Sequence, residues 1–409
     1  MPVRTLNKNV ILMICIAFLA NMCGSMILPL FPIYIEQFHF STFMMSILFS
    51  LFYVGRACGG VLAGKLYEVL GAKRTGILLL LLETMLMVGF VLGTSFLILG
   101  ILRILQGLVS TGLTVFVRTS INEMSTEANR GIYNGYISSS EGAGMFLGPA
   151  ISGAVATIAL STPFYLVGVC SVIALFAVIY MDIASKSSLN RAVITEETAL
   201  SYTQKSRPSR KQILTYSTVH FLEMSAFAVF LTYFALYAKH VMGWTPFETS
   251  LAFTIVGGSS FMMAPVVGKI SDALKDRLLL CIVGLGLIMI EVILFLGFSQ
   301  HWIVYFGMFI GGIGGASYLD SFFAHIGDVV TDEHQSSFIG KVVSISEIGS
   351  IVSPIIAGLL VEAFRMSAAF YFNLGLVAVA MVIQFGIRNR IKRKPPSQEI
   401  NTTQTASRP

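Results

Sequence analysis

The chain has 409 residues, of which 55% are hydrophobic and 12% are charged, and its mean hydropathy is +0.79. Soluble domains carry about 25% charged residues, so the composition excludes a soluble fold and indicates a polytopic membrane protein. The formal net charge of +6 is interpreted as membrane topology rather than nucleic-acid binding, because basic residues collect on cytoplasmic loops.

Twelve apolar segments are long enough to cross a membrane as helices, which takes about 20 residues each. The first segment is too long for a cleavable signal peptide. The predicted helices lie at 10–35, 42–64, 75–96, 97–123, 132–158, 163–183, 213–240, 247–271, 277–299, 302–328, 338–363 and 367–388.

A polar stretch after the sixth helix divides the chain into two halves. We therefore predict an all-α membrane protein with two six-helix bundles, at 1–183 and 213–388, joined by a cytoplasmic central loop at 184–212. The polar residues 389–409 are predicted to form a cytoplasmic tail. If both termini lie in the cytoplasm, the external loops contain only two basic residues, Lys239 and Arg365. This asymmetry predicts that orientation, and the short loops favour a multi-pass protein of a plasma membrane.

The two halves are related in sequence. Residues of the first and seventh helices align at an offset of 203, Phe18-Leu19 with Phe221-Leu222. Gly144, Gly148-Pro149 and Gly153 align with Gly349, Ser353-Pro354 and Gly358. Two related bundles predict a substrate cavity between them, near the middle of the membrane.

The fifth helix contains the run Gly144-Met-Phe-Leu-Gly148-Pro149-Ala-Ile-Ser-Gly153. Small residues one turn apart let helix backbones pack closely, and proline bends the helix. This run predicts a bent, close-packed contact that seals the protein against leakage.

Three further motifs occur in the N-terminal half. The loop between helices two and three reads Gly64-Lys-Leu-Tyr-Glu68-Val-Leu-Gly71-Ala-Lys73-Arg74. Helix four carries Arg103 with Gln106-Gly107, although a charge in the middle of a membrane costs about 2.5–3.5 kcal/mol. Helix one carries Leu28-Pro29-Leu-Phe-Pro32, where two prolines open the backbone hydrogen bonding.

Together the four motifs resemble those of the major facilitator superfamily, in its twelve-helix drug–proton antiporter-like branch. The loop departs from the family pattern, since Glu68 replaces the usual aspartate and Val69 the usual arginine. The resemblance implies two pseudo-symmetric six-helix bundles that work by alternating access, and proton-coupled export driven by a proton gradient without a cofactor. It implies small-molecule substrate, protons and lipid bilayer as partners, and a monomer. It also implies that Glu68 and Asp272 latch the cytoplasmic face, and that Arg103 tunes proton transfer.

Ionisable residues inside predicted helices are candidates for proton coupling or substrate binding. Glu223 and Asp320 lead, because helices seven and ten border the cavity in the resembled fold. Arg56, Glu141 and Glu347 are further candidates. Glu83 and Glu291 lie on helices that are peripheral in that fold, so we expect structural roles, and we expect His220 and His325 to be solvated. The aromatic residues expected to wall the cavity are Tyr34, Phe230, Tyr233, Tyr237 and Tyr318.

Other classes of function lack sequence support. No phosphate-binding glycine loop, zinc-site spacing or serine–histidine–acid pattern occurs, and none of the five cysteines has metal-ligand spacing. We therefore expect neither an enzyme nor a metal site. The open alternatives to drug export are proton-coupled uptake of a metabolite, dedicated export of a metal-chelating metabolite, and lipid flipping.

Overall fold

The structure, a computed structural model, describes residues 7–126, 129–181, 209–274, 276–330 and 332–392. Within these ranges the chain forms twelve α-helices. They are α1 (Lys8–Ile27), α2 (Phe31–Glu36), α3 (Thr42–Leu92), α4 (Phe96–Met124), α5 (Arg130–Ala156), α6 (Thr162–Tyr180), α7 (Arg210–His240), α8 (Pro246–Leu274), α9 (Arg277–Gly297), α10 (His301–Val329), α11 (Asp332–Ala363) and α12 (Ala368–Lys392).

Ten of these helices are long and apolar enough to cross a membrane. Helix α3 has 51 residues, about 76 Å at 1.5 Å per residue, which is enough to cross twice. Helix α5 has 27 residues but a more polar sequence, with three consecutive serines before Glu141. The ten spans, the second crossing of α3 and the crossing by α5 together make the twelve that the sequence predicts.

The chain reverses inside α3 at Gly71. This residue has φ 76° and ψ 169°, a backbone conformation open to glycine and strained for residues with a side chain. The Thr75 hydroxyl donates a hydrogen bond to the Leu66 carbonyl oxygen across the reversal, at 3.2 Å. The Lys73 ammonium donates to the Met181 carbonyl oxygen at 3.0 Å, which fixes the loop against the end of α6.

The first predicted helix is two helices. Helix α1 ends at Ile27 and α2 begins at Phe31, with a turn between them. Pro29 and Pro32 lack the amide hydrogens that a continuous helix would need, which explains why the single helix predicted at 10–35 is interrupted. Conversely, α7 begins before residue 213 and α12 continues past residue 388. The remainder of the predicted central loop and tail lies outside the described residues.

Helices pack backbone to backbone within each half, and the contacts repeat. A methyl group at Gly144 of α5 would overlap the Phe18 carbonyl oxygen of α1. A methyl group at Gly349 of α11 would meet the Phe221 carbonyl oxygen of α7 in the same way. Phe18 and Phe221 are the residues that the sequence repeat pairs, so the contacts agree with the predicted internal relationship.

The halves touch along a seam formed by α5 with α8, α11 with the first crossing of α3, and α2 with α7. We call the end of the protein at which α1 begins and α12 ends the termini face, and the opposite end the far face. Gly153 of α5 packs against Ser250 of α8, and Gly358 of α11 packs against Ser46 of α3. These two contacts are again related by the internal repeat, and both lie towards the far face.

Hydrogen bonds and ion pairs also close the far face. Lys239 and His240 at the end of α7 both pair with Glu36 at the end of α2. The Phe43 amide of α3 donates to Glu362 Oε1 of α11 at 2.9 Å. Each of these contacts joins one half to the other, so the far face is the closed end of the seam.

We predict that Gly148→Ala destabilises the protein by about 1–3 kcal/mol, the usual penalty for overpacking. A methyl group there would overlap Ser25 Oγ and approach the Met22 carbonyl oxygen within 2.7 Å. The apparent melting temperature of the purified protein measures the effect. Gly286→Ala is the matched control, because a methyl group there meets no atom within 4 Å in the described structure. Equal melting of the two variants would contradict the close-packing role of Gly148.

Candidate functional site

A cavity lies at the seam, between helices α1, α3, α4, α5 and α6 of the first half and helices α7 and α11 of the second. Its wall is mixed. Leucines, methionines and aromatic rings alternate with polar groups, and the polar lining includes Asn21, Arg56, Glu83, Arg103, Gln106, Ser110, Thr114, Glu141, Ser171, Glu347 and Ser350. Such an apolar wall with a few convergent charges is typical of a small-molecule site.

One face of α4 indicates where the cavity opens. Arg103, Gln106, Ser110, Thr114 and Val117 all line the cavity and follow one another at spacings of three or four residues, so they form one helical stripe. Arg103 is 2% exposed and Gln106 is 4% exposed, whereas Thr114 is exposed and Val117, nearest the termini face, is again 2% exposed. Along this stripe the cavity is therefore most open at Thr114, on the termini-face side of Arg103.

Arg103 is held at the narrow end of this stripe. Its Nε donates to the Leu48 carbonyl oxygen at 3.2 Å and its Nη1 donates to Gln106 Oε1 at 2.7 Å. The guanidinium carbon lies 3.9 Å from the ring centre of Phe31 and 4.8 Å from that of Phe52. Aromatic faces and carbonyl oxygens thus stabilise a buried cation, and no ion pair of Arg103 is found among the described residues.

A second arginine of the cavity crosses the seam. Arg56 of α3 lies 3.4 Å from Glu347 of α11, Nη2 to Oε1, and their side chains are 42% and 17% exposed. Arg56 also lies over the Tyr53 ring, 5.8 Å from its centre. Since the two residues belong to different halves, the distance between their side chains depends on the distance between the halves.

Glu83, for which the sequence suggested a structural role on a peripheral helix, reaches the cavity. It lies in the second crossing of α3, it is 6% exposed, and it lines the cavity beside Cys23 and Cys170. Its Oε2 atom is buried without a hydrogen-bond partner in the described part of the chain. A carboxyl group that reaches the cavity without a basic partner is suited to accepting and releasing a proton.

Glu141, by contrast, has a basic partner. It lines the cavity on α5 and pairs with Arg118 of α4, whose guanidinium also donates to Ser138 Oγ at 3.1 Å. All three residues belong to the first half, so this pair does not cross the seam.

The two leading carboxylates from the sequence do not line this cavity. Glu223 is 8% exposed in α7 and lies 3.5 Å from His220, Oε2 to Nδ1. Asp320 is on α10 and is exposed, but it is absent from the cavity wall. The structure therefore separates these two residues from Arg56, Glu83, Arg103, Glu141 and Glu347.

The two histidines expected to be solvated are buried. His220 packs against the Phe322 ring, 5.2 Å between centres, and His325 Nε2 hydrogen-bonds to the Tyr216 hydroxyl at 2.9 Å. Both pack against residues of a second apolar cluster, which is formed by α7, α9, α10, α11 and α12. The expectation of solvated histidines was wrong because these helix faces pack against each other.

The aromatic residues expected in the cavity wall pack elsewhere. The Tyr34 hydroxyl donates to the Phe90 carbonyl oxygen, and that of Tyr233 donates to the Pro354 carbonyl oxygen, each at 3.0 Å. Phe230 and Tyr237 pack with Phe295. Tyr318 is fully buried and stacks on Phe322. The aromatic residues that line the cavity are Phe52, Tyr53 and Phe227.

The loop motif between the two crossings of α3 lies at the termini face, and its charged side chains make few contacts there. Glu68 and Arg74 are exposed, and a methyl group at Gly64 would meet no atom within 4 Å in the described structure. Asp272, in the last turn of α8, pairs with Arg277 of its own half at 3.2 Å. The described residues also contain no group of three or more metal-ligating side chains placed to hold an ion.

Comparison with known proteins identifies the family. A family model described as Major Facilitator Superfamily matches residues 13–296 and 219–408, which together cover nearly the whole chain. The chain belongs to the major facilitator superfamily. It is therefore a transporter, in agreement with the resemblance predicted from the motifs.

Proteins named for drug resistance are among the relatives of this chain. The quinolone resistance protein NorA of Staphylococcus aureus strain MRSA252 is 22% identical over 384 residues, covering 92% of this chain and 96% of NorA. Multidrug resistance protein 2 of Bacillus subtilis strain 168 is 27% identical over 273 residues, covering 64% of this chain and 66% of that protein.

Solved structures share the fold. The nucleoside transporter NupG has a TM-score of 0.73 at 12% identity, covering 95% of this chain and 100% of NupG. A bacterial homolog of the human lysosomal transporter Spinster, in an inward-facing and unoccupied conformation, has a TM-score of 0.73 at 13% identity, covering 95% of this chain and 98% of that one.

Proposed function

We propose that this transporter exports small amphipathic compounds by proton-coupled antiport. The observation that carries the proposal is the cavity at the seam, where carboxylates and guanidinium groups stand among apolar and aromatic side chains. An amphipathic molecule finds both kinds of contact there. The full-length similarity to NorA, named for quinolone resistance, supports a drug-like substrate.

The termini face is proposed to lie in the cytoplasm of a plasma-membrane protein. Described basic residues near this face include Lys8, Lys65, Lys73, Arg130 and Arg277, whereas Lys239 and Arg365 stand at the far face. Basic residues are retained on the cytoplasmic side of a membrane. The cavity then opens inwards, in a state ready to collect substrate from the cytoplasm.

Export then requires the far face to open. In that step the pairs of Glu36 with Lys239 and His240, and the contacts of Gly153 and Gly358, would separate. The two halves would close together at the termini face, where Glu68 and Asp272 are proposed to form the latch. This exchange of closed faces is alternating access.

Glu83 is proposed as the proton carrier nearest the cavity. It has no basic partner among the described residues, whereas Glu141 and Glu347 are both in ion pairs. A carboxyl group paired with arginine must lose that ion pair when it takes up a proton, which makes it a poorer carrier. Glu223 and Asp320, which do not line the cavity, remain proposed proton carriers.

Uptake of a metabolite is the second candidate. The structural similarity to NupG, a nucleoside transporter, keeps a nucleoside among the substrates worth testing. Direction of transport separates the two candidates, because export by antiport and uptake by symport respond to opposite proton gradients.

Reconstituted liposomes test the proposed function. The probes are norfloxacin, tetraphenylphosphonium and uridine, with protein-free liposomes as the control. We predict that norfloxacin or tetraphenylphosphonium accumulates when the interior is acidic, because protons leave as the compound enters. Accumulation only with an acidic exterior would establish symport and contradict export. No accumulation of either drug under either gradient would contradict drug transport.

Replacing single acids tests the proton carrier. We predict that Glu83→Gln abolishes proton movement while drug binding persists, since glutamine keeps the shape of the side chain and cannot carry the proton. Asp320→Asn is the matched variant outside the cavity wall. Substrate-induced proton flux, read with a pH-sensitive dye, compares them. Normal flux in Glu83→Gln with loss in Asp320→Asn would move the proton site to the second half.

A further inference from the structure

The Arg56–Glu347 pair is the one described ion pair that crosses the seam inside the cavity. Other described pairs between the halves, those of Glu36 with Lys239 and His240, lie at the far face. Arg118–Glu141 stays within the first half. The Arg56–Glu347 pair therefore has two properties at once. It lines the cavity, and it joins one half of the protein to the other.

The geometry of this pair leaves much of its bonding capacity unused. One nitrogen of Arg56 faces one oxygen of Glu347, at 3.4 Å, whereas a guanidinium and a carboxylate can form two parallel hydrogen bonds at about 2.7–2.9 Å. Glu347 Oε2 is buried without a hydrogen-bond partner in the described part of the chain. The Arg56 side chain is 42% exposed, so its remaining donors are open to the cavity.

The charges around the pair are balanced. Arg103 lies on α4, Glu141 on α5 with its partner Arg118, and Glu83 on the second crossing of α3. Helix α7 contributes Met224, Phe227 and Leu231, which are apolar. The wall therefore offers one partly exposed guanidinium, and one carboxylate that has an oxygen without a partner in the described part of the chain, beside an apolar surface and without a strong excess of charge of either sign.

We propose that Arg56 and Glu347 form a binding site for a zwitterionic amino-carboxylate, whose carboxylate binds Arg56 and whose ammonium binds Glu347. This deepens the proposed function, on which it rests, by naming the substrate class. The substrate replaces one loose ion pair with two closer ones, and its apolar body contacts the α7 wall. A purely cationic compound satisfies Glu347 but leaves Arg56 without a partner, and a purely anionic compound does the reverse.

Binding also has a mechanical consequence. In the structure Arg56 and Glu347 join the two halves directly, within the cavity. A bound zwitterion inserts between them, so the substrate itself becomes the bridge between the halves. Movement of the halves around the substrate then no longer requires a direct contact of Arg56 with Glu347.

Three matched fluorescent probes test the site. Nε-dansyl-lysine carries both free charges, its methyl ester carries only the ammonium, and its Nα-acetyl derivative carries only the carboxylate. We predict that the purified full-length transporter binds the zwitterion about tenfold more tightly than either derivative, because each derivative leaves one charged partner unsatisfied. Dissociation constants come from dansyl fluorescence.

Two variants assign the two ends of the ligand. Arg56→Gln should remove the preference for the zwitterion over the methyl ester, and Glu347→Gln should remove the preference for the zwitterion over the acetyl derivative. Lys239→Gln is the matched control, because it removes an ion pair between the halves that does not line the cavity. It should preserve the ranking of the probes. Elution of each variant as a single peak on size exclusion confirms that it folds.

Three results would overturn the site. These are weak binding of the zwitterion to the unmodified protein, equal binding of all three probes, or an unchanged ranking in both cavity variants. The outcome is independent of transport direction. A zwitterion preference combined with accumulation under an acidic exterior would retain the site and reject export, whereas drug–proton antiport without the preference would retain export and reject the site.

Discussion

Close packing of helix backbones holds this protein together and positions the charged side chains of its cavity. Lipid supplies little hydrophobic drive between membrane helices, so van der Waals packing through small residues must hold them together. Gly55 of α3 meets the Ile104 carbonyl oxygen of α4, and Gly107 of α4 meets the Phe52 carbonyl oxygen of α3. Such contacts pack α3 and α4 of the first half tightly together. They also place Arg56 and Arg103, near these crossings, at fixed positions in the cavity.

The seam between the halves is built differently from the helix crossings within each half. It combines glycine–serine contacts, such as Gly153 with Ser250, with ion pairs such as Glu36 with Lys239. Polar contacts near an aqueous face exchange for water with little net change in free energy. In the proposed mechanism the far face therefore separates without disturbing the packing within each half.

The sequence predicted the membrane class, the twelve crossings and the internal repeat, because apolar length and small-residue spacing are local properties of the chain. The position of Gly71 in the loop motif likewise agreed with a reversal. The cavity wall was harder to predict. Glu83 is recognisable in the sequence as an acid in an apolar run, but only the packing of α3 shows that it reaches the cavity. Tyr233 and Tyr318 are on suitable helices, yet their side chains point into helix contacts.

Distances between the two halves, measured at each face, test whether the halves move as rigid units about the cavity. Spin labels at Val69→Cys and Leu274→Cys report the termini face, and labels at Gln37→Cys and Val241→Cys report the far face, in a protein without its native cysteines. All four positions are exposed. Adding a transported compound together with a change of pH should shorten the first distance and lengthen the second. Distances that stay fixed, or that change in the same direction, would contradict movement of the halves about the cavity.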